Sequence, residues 1–224
     1  MTQAEAFLGG EGDAWFARNN EYVCISPARE LLAGWCMPFR DSVSKILEIG
    51  AGNGVPLAFL AESLSADAVG VEPSSKAVDN WLSIRSSVSG GNRVELKVGE
   101  AAQLPFGDTS FDIVGFGFCL YLLDRSRLFA ALSEADRVLK DGGFMYIEDF
   151  DVRRPRSNPY AHLAGVSSYK SDYSGIFLAS GHYSLVNKYS YSHREFHFDY
   201  DEDERVAISL LCKQELSAYQ SVGC

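Results

Sequence analysis

The chain has 224 residues, 46% of them hydrophobic and 12% aromatic, which is enough to bury one substantial core, so we expect a single domain over residues 1–224. Its 20 basic and 30 acidic residues give a formal net charge of −10, and the basic residues are scattered along the chain. Because nucleic-acid binding usually requires a positive face that neutralises phosphates, this balance disfavours a nucleic-acid partner.

The cysteine pattern and the amino terminus indicate the compartment. The first twenty residues lack a basic start followed by an apolar stretch, and no run of eighteen apolar residues occurs. The five cysteines are odd in number, widely spaced and without a C-x-x-C pair: Cys24, Cys36, Cys119, Cys212 and Cys224. This usage is typical of a reducing cytoplasm and predicts neither a disulfide framework nor a metal site. We expect a soluble cytoplasmic protein with no membrane partner.

Up to residue 150 the chain alternates short apolar runs with segments of helical period. In chain order, the predicted elements are a helical cap over residues 1–44, a strand at 46–49, a helix at 55–64, a strand at 68–72, a helix ending near 84, strands at 93–98 and 111–118, a helix from 124 to about 141, and a strand at 144–147. Pro56 suits the first turn of its helix, and Ser74 or Ser75 can cap the next. Gly142 and Gly143 are expected to stop the last helix.

After residue 150 the character of the sequence changes. Residues 153–180 are rich in Ser, Tyr, Pro and Asn and show little periodicity, which predicts an irregular cover for the site. Residues 185–193 and 205–213 are predicted strands, and the acidic turn at 199–204 would join them as an antiparallel hairpin.

Strands that alternate with helices predict a parallel sheet with helices on both faces. We therefore expect an α/β, Rossmann-like fold with a seven-stranded mixed sheet, mostly parallel, that ends in a C-terminal antiparallel hairpin. Within the single domain, four segments are predicted: a cap over 1–44, a cofactor-binding core over 45–150, a lid and substrate insert over 151–183, and a hairpin over 184–213.

The sequence ILEIGAGNG at residues 46–54 places three alternate glycines directly after the first strand. At the carboxyl end of a strand in an open α/β sheet, such a turn lets a ligand approach the backbone closely. A phosphate-binding P-loop would need a Gly-Lys pair, which is absent from this sequence. A dinucleotide fingerprint would need Gly or Ala where Val55 stands, so nicotinamide binding is disfavoured.

Two acidic residues follow the next two strands. Glu72 ends the second strand about 20 residues beyond the turn, where a carboxylate can accept both hydroxyls of an adenosine ribose. Glu100 follows the third strand, where it could accept from an adenine amine while the Ala101 backbone contacts the ring edge. Each alone fits a solvated loop acid, but together they outline one nucleoside site.

Five stretches of the chain together resemble the class I methyltransferases that use S-adenosylmethionine. They are ILEIGAGNG at 46–54, VEP at 71–73, GEAAQLPF at 99–106, FDIVGFGFCLYLL at 111–123 and LKDGG at 139–143. The resemblance implies that Glu48 and the turn hold the methionine part. It places Glu72, with Pro73, at the ribose and Glu100 with Ala101 at the adenine. The implied turn residues are Gly50, Ala51, Gly52, Asn53 and Gly54. The residues beside the sulfonium would be Phe116 and Gly117, and Tyr121, just beyond them at the cofactor site, could face the acceptor.

Methyl transfer needs an aligned, desolvated acceptor and often little else, so the sequence says little about the acceptor. The Asn or Asp followed by Pro-Pro of amino-directed DNA methylases is missing after the fourth strand, which favours a small-molecule hydroxyl or amine. The candidates for a general base are Tyr121, His162 and Asp149. The candidates for the acceptor pocket are Trp15, Arg18, Tyr169, Lys170, Asp172 and Tyr173.

A fainter resemblance covers the two ends of the chain. Two stretches are similar to parts of the methylases associated with pseudaminic acid biosynthesis. The first contains Gly12-Asp13, Trp15 and Arg18-Asn19, and the second is Tyr191-Ser192-His193-Arg194. This resemblance implies a sugar or a surface-polysaccharide precursor as acceptor. Two other interpretations stay open: a non-catalytic module that binds the nucleoside and acts on a protein partner, and a nicotinamide oxidoreductase. Either a monomer or a homodimer fits the sequence.

Overall fold

The computed structural model of the chain describes residues 2–214, except for the side chain of Tyr22. Cys224 and the two ends of the predicted 1–224 domain lie outside the described residues. The described strands are β1 (Lys45–Ile49), β2 (Asp67–Glu72), β3 (Val94–Val98), β4 (Phe111–Gly117), β5 (Leu139–Phe150), β6 (Arg156–Pro159), β7 (Ser167–Lys170), β8 (Tyr183–Ser192) and β9 (Arg205–Lys213).

Seven of these strands form one sheet in the order β3-β2-β1-β4-β5-β9-β8. The first five are parallel to their neighbours, whereas β9 is antiparallel to both β5 and β8. β6 and β7 pair separately as a small antiparallel hairpin. Because the strand order reverses at β1 and β4, the carboxyl ends of these two strands form the switch point where open α/β sheets bind ligands.

The α-helices are α1 (Gln3–Ala6), α2 (Gly12–Asn19), α3 (Pro27–Cys36), α4 (Val55–Leu64), α5 (Ser75–Ile84), α6 (Leu128–Val138) and α7 (Ser174–Ala179). Ser26 and Ser74 cap α3 and α5 by accepting from the backbone N–H groups of Arg29 and Ala77. A π-helical turn, Phe7–Glu11, links α1 to α2. Among residues 2–214, no helix has both the length and the apolar character needed to cross a bilayer.

Apolar side chains cover the sheet on both faces. On one face, residues of α3, α4 and α5 such as Leu32, Leu60 and Trp81 pack in one buried cluster. On the other, α6 and α7 bury residues such as Leu132 and Phe177. The predicted fold class, with its mixed seven-stranded sheet, C-terminal antiparallel pair and helices on both faces, is therefore confirmed.

Two predicted elements differ from the structure. The helix expected from 124 to about 141 spans only Leu128–Val138, because Asp124 accepts from the backbone N–H of Ser126 in a turn and β5 already begins at Leu139. The segment expected to be irregular contains the β6–β7 hairpin and helix α7. Its strands are only partly buried, so they carry no apolar alternation that a sequence pattern could reveal.

Candidate functional site

A cleft with a volume of about 830 Å³ opens at the carboxyl ends of β1 to β4. The N-terminal segment covers it, with residues from α1, α2 and the chain between α2 and α3 in its walls. Of the residues predicted from sequence, the structure brings the following to this cleft: Trp15, Glu48, Gly50, Ala51, Gly52, Glu72, Pro73, Glu100, Ala101, Gly117 and Tyr121.

The glycine turn after β1 adopts the left-handed conformation at its three glycines, with φ of +77° at Gly50, +54° at Gly52 and +75° at Gly54. A Cβ on Gly50 would lie 2.6 Å from the Cβ of Cys119, so a side chain there would displace the cleft wall. A Cβ on Gly54 would lie 2.8 Å from the ring of Trp81. Gly50 thus keeps the cleft open, whereas Gly54 allows α4 to pack closely against α5.

Glu72 stands at the end of β2 and holds the glycine turn from the side. Its two carboxylate oxygens accept from the backbone N–H of Gly52 at 2.9 Å and of Ser74 at 3.0 Å. Burial raises the pKa of Glu72 to about 7, and these hydrogen bonds oppose the rise. Glu72 lines the cleft, and each of its carboxylate oxygens keeps a lone pair that can accept from a ligand hydroxyl.

A buried network of charged and phenolic groups lies beneath the cleft. The guanidinium of Arg29, from α3, donates to the carboxylate of Glu48 on β1 and, at 3.1 Å, to the hydroxyl of Tyr146. The Nε of Arg29 lies 2.9 Å from one oxygen of Glu148. The other oxygen of Glu148 accepts from the hydroxyl of Tyr191 at 2.7 Å. One guanidinium therefore serves two carboxylates, leaving the network one negative charge in excess when both are ionised.

Of the two carboxylates, Glu48 is the one with an unpartnered oxygen. Its second oxygen, Oε2, is buried and has no hydrogen-bond partner within the described part of the chain. Burial raises the pKa of Glu48, and Arg29 opposes that rise. For Arg29, burial would lower the pKa, but the neighbouring Glu48 and Glu148 hold it well above its ordinary value. A cationic hydrogen-bond donor in the cleft would satisfy this oxygen.

Glu100 and Ala101 form the end of the cleft after β3. One oxygen of Glu100 lies 2.6 Å from the guanidinium of Arg127, which also lines the cleft, and the other oxygen forms no ion pair with any residue from 2 to 214. Ala101 is buried beside it. The Arg127 contact fixes the carboxylate against the cleft wall and leaves acceptor capacity for a ligand donor.

Three residues predicted to contact the cofactor do not line the cleft. The side chain of Asn53 donates to the carbonyl of Val23 at 2.9 Å, which ties the N-terminal segment to the turn. Gly54 faces α5, as described above. Phe116 is fully buried in the core beneath α6, because successive side chains on a strand alternate faces and its neighbour Gly117 faces the cleft.

The three candidates for a general base occupy different environments. Tyr121 lines the cleft, and its hydroxyl accepts from the indole N–H of Trp15 at 3.4 Å. Asp149, near the end of β5, is buried behind the segment that carries Tyr121. Burial raises the pKa of Asp149 to about 7, and its carboxylate accepts from the backbone N–H of Tyr121 at 3.2 Å. His162 is exposed on the β6–β7 turn with its ring against Tyr160. Tyr121 alone of the three faces the cleft.

Arg18, a predicted pocket residue, lies outside the cleft and joins the cap to the insert. Its guanidinium lies 2.5 Å from the carboxylate of Glu11 and donates to the hydroxyl of Tyr160 at 3.0 Å. The Tyr160 hydroxyl in turn donates to Glu11 at 3.0 Å. Glu11, Arg18 and Tyr160 thus connect α2 to the β6–β7 hairpin, and we call them the latch.

The predicted pocket residues of the insert also lie away from the cleft. Tyr173 donates to the carbonyl of Tyr169 at 2.5 Å, and Asp172 lies 2.8 Å from the ammonium of Lys188 on β8. Lys170 donates to the carbonyl of Asp203 at 2.6 Å. Asp172 and Lys170 thus tie the insert to β8 and to the turn before β9, whereas Tyr169 and Tyr173 contact each other within the insert.

Sequence reasoning did not assign two side chains of the cleft, Phe118 and His193. Phe118 follows β4 with a φ of +53°, and its ring stacks on the imidazole of His193 with centroids 5.2 Å apart. Tyr121 packs against the same ring at 5.0 Å. The one sequence signal for His193 was its place in the stretch from Tyr191 to Arg194.

The chain is similar in sequence and in fold to known methyltransferases. A family model described as a methyltransferase domain matches residues 46–143, which include the glycine turn and Glu72. The chain is 32% identical over 120 residues to the 27-O-demethylrifamycin SV methyltransferase of Amycolatopsis mediterranei, covering 53% of this chain and 42% of that protein. It is 37% identical over 109 residues to the demethylmenaquinone methyltransferase of Clavibacter sepedonicus, covering 48% and 42%. The chain thus spans less than half of these relatives.

Among solved structures, the fold is similar to that of the Burkholderia thailandensis 1,6-didemethyltoxoflavin-N1-methyltransferase with bound 1,6-didemethyltoxoflavin and S-adenosylhomocysteine. The TM-score is 0.69 at 17% identity, and the match covers 95% of this chain and 87% of that one. The likeness therefore extends beyond the family match to the cap, the insert and the C-terminal strands.

Proposed function

We propose that this chain, which belongs to the class I S-adenosylmethionine-dependent methyltransferases, transfers a methyl group to a hydroxyl or amine of a small molecule. S-adenosylmethionine is the cofactor of this family. The proposal rests on one observation above all. Glu72 and Glu48 both line the cleft next to the glycine turn, and the second oxygen of Glu48 is buried without a hydrogen-bond partner among residues 2–214, so the cleft offers acceptors for a ribose and for a cation.

The cleft residues fit the parts of this cofactor. We place the ribose hydroxyls on Glu72 and Pro73, and the adenine beside Ala101 with its amine on Glu100. The methionine part would lie over Gly50, Ala51 and Gly52, with its ammonium on Oε2 of Glu48. The sulfonium would lie beside Gly117, where a Cβ would come within 2.4 Å of the Glu48 carboxylate. The net negative charge of the Arg29 network complements a cofactor that carries two positive groups and one carboxylate.

The chemistry asks little of the protein beyond placement. The cofactor supplies a methyl group on a sulfonium, which makes that carbon electrophilic. The residues of the cleft orient the acceptor in line with the methyl group, and the cap of α1 and α2 excludes water from it. This is sufficient for transfer to a good nucleophile, and a weaker one also needs a base.

A small-molecule acceptor is supported by the named relatives, whose names specify rifamycin, menaquinone and toxoflavin compounds. The acidic balance of the chain continues to disfavour nucleic acid. We further propose that the protein acts in the cytoplasm and that its oligomeric state is a monomer or a homodimer. A sugar acceptor, suggested by the residues at the two ends of the chain, belongs in any acceptor screen.

The first test is a calorimetric titration with S-adenosylmethionine, S-adenosylhomocysteine and NADH in parallel. Micromolar binding of the two sulfur ligands without binding of NADH supports the proposed site. Binding of NADH alone would instead indicate an oxidoreductase. Binding of the sulfur ligands with no methyl turnover across phenols, amines and glycosides would favour the non-catalytic module.

A further inference from the structure

Aromatic side chains form one wall of the cleft next to the proposed methyl position. Phe118 directly follows Gly117, and its ring contacts Tyr121 at 5.0 Å and His193 at 5.2 Å between centroids. Phe150 supports the three from behind, at 5.4 Å from Phe118. We call Phe118, Tyr121 and His193 the aromatic wall. Its flat faces suit a planar ring, because offset and edge contacts between aromatic rings are favourable.

His193 is the group in this wall that can take a proton. The near-parallel stacking on Phe118, with 15° between the planes, fixes the orientation of the imidazole. The residue is exposed and lines the cleft. Within residues 2–214 its ring nitrogens form no hydrogen bond, so one of them can accept a proton.

The electrostatic surroundings keep this imidazole neutral. Desolvation lowers the pKa of His193, and the nearby cations Lys170 and Arg194 lower it further. Glu204 and Glu148 act in the opposite direction, but the net shift is downward. A neutral imidazole is the form that serves as a general base at pH 7.

The other titratable groups near the wall are not available for this role. The Tyr121 hydroxyl accepts from Trp15, and burial raises its pKa well above the ordinary value, so it stays protonated. The Asp149 carboxylate is buried behind the segment that carries Tyr121 and accepts from the backbone N–H groups of Tyr121 and Phe150. Glu148 is held by Arg29 and Tyr191.

We propose that His193 is the general base of the transfer and that the acceptor is a planar aromatic compound with a hydroxyl group. This inference rests on the proposed function. An imidazole nitrogen of His193 takes the hydroxyl proton while the acceptor oxygen forms a bond to the methyl carbon. The bond from that carbon to sulfur breaks, and its electron pair stays on the sulfur. The imidazolium then returns the proton to solvent.

Binding is tested first, on protein loaded with S-adenosylhomocysteine. We expect catechol to bind, to shift the imidazole NMR signals of His193 and to protect this residue from diethylpyrocarbonate. Methyl glucoside should do none of these three. If S-adenosylhomocysteine itself does not bind, the proposed function fails. If it binds but catechol leaves His193 unaffected, or methyl glucoside protects it instead, the present inference is overturned and the proposed function stands.

Turnover then tests the proton transfer, with catechol and 4-nitrophenol as probes at pH 8, where 4-nitrophenol is already ionised and catechol is not. His193→Gln should lower kcat for catechol by roughly 10²-fold or more, with little change in KM or in kcat for 4-nitrophenol. The control is His197→Gln, an exposed histidine on the same loop. Equal losses for both probes would mean a structural role, and no loss would mean that His193 is not the base. A wild-type protein that methylates methyl glucoside but neither phenol would overturn the acceptor class.

Discussion

The Glu72 carboxylate accepts from the backbone N–H of Gly52 across the cleft floor, with 2.9 Å between oxygen and nitrogen. The end of β2 thereby fixes the turn that follows β1, and one side chain both shapes the turn and faces the proposed ribose position. Replacing Glu72 with Gln keeps the volume but turns one acceptor into a donor that faces a backbone N–H.

We expect Glu72→Gln to weaken S-adenosylhomocysteine binding by roughly tenfold or more, since a hydrogen bond to a charged group contributes about 1.5–3 kcal/mol. Isothermal titration calorimetry measures this directly. Glu95→Gln, an exposed change on the neighbouring strand β3, is the matched control and should bind normally. Unchanged affinity in Glu72→Gln would contradict our placement of the ribose.

The raised pKa of Glu72, about 7, predicts that cofactor binding depends on pH. Ribose hydroxyls donate to the ionised carboxylate, so binding should favour loss of its proton. Affinity should then fall as the pH drops below 7, by about tenfold per unit at the limit, and level off above it. Calorimetry at pH 6 and pH 8 tests this, and Glu72→Gln should remove the difference. If Glu72→Gln keeps the same pH dependence while Asp149→Asn loses it, the titrating group is Asp149.

Arg29 is the single cation in the buried network described above. Replacing it with Met would leave Glu48 and Glu148 without a counter-ion, and breaking a buried pair in this way costs about 3–5 kcal/mol. Urea unfolding should show a loss of that order, whereas Arg40→Met, at a side chain 45% exposed, should change little. The double variant Arg29→Met with Glu48→Gln should recover part of the loss. A stable single variant would contradict the assigned network.

The elements that could be predicted from sequence were those whose signal is local. The strand at Ile46 and the helix that buries Trp81 were evident because an apolar run and a helical period are properties of the segment itself. The glycine turn and Glu72 could also be predicted from sequence. Each directly follows or ends a predicted strand, and the carboxyl ends of neighbouring parallel strands lie at the same edge of the sheet.

What could not be predicted depends on contacts between distant segments. Arg29 reaches Glu148 only because the register of β4 and β5 pairs Gly117 with Glu148. His193 reaches Phe118 because β9 lies between β5 and β8, which directs the chain after β8 over the cleft. A charged residue on the buried side of α3 was the one local sign of the network.

The contact between α2 and the start of α5 gives a further prediction. Asp13 accepts from the hydroxyl of Ser74 at 2.7 Å and from the backbone N–H of Lys76 at 3.0 Å, directly after Glu72 and Pro73. Asp13→Ala should loosen the cap without unfolding the sheet. We expect S-adenosylhomocysteine to dissociate several-fold faster in stopped-flow experiments, since each lost hydrogen bond contributes about 1 kcal/mol. Asp79→Ala, an exposed change on α5, should leave the rate unchanged.

The latch gives the last prediction, because it is one of the polar contacts between the cap and the β6–β7 hairpin, beside that of Gln3 with Ser167. The Tyr160 hydroxyl donates to Glu11 and accepts from Arg18, each at 3.0 Å, and burial raises its pKa to about 12, so it remains a donor across the physiological range. Tyr160→Phe removes both hydrogen bonds and keeps the ring.

We expect hydrogen exchange of the α2 amides to rise about fivefold or more in Tyr160→Phe, since each lost hydrogen bond contributes about 1 kcal/mol. Mass spectrometry of peptides covering Gly12–Asn19 measures this. The control Tyr200→Phe removes a hydroxyl from a side chain 91% exposed and should exchange like the wild type. Saturating S-adenosylhomocysteine should slow α2 exchange in both variants if the cap closes over the cofactor. Exchange that is unchanged in Tyr160→Phe would mean that the other contacts, of Asp13 with α5 and of Gln3 with Ser167, hold the cap without the latch.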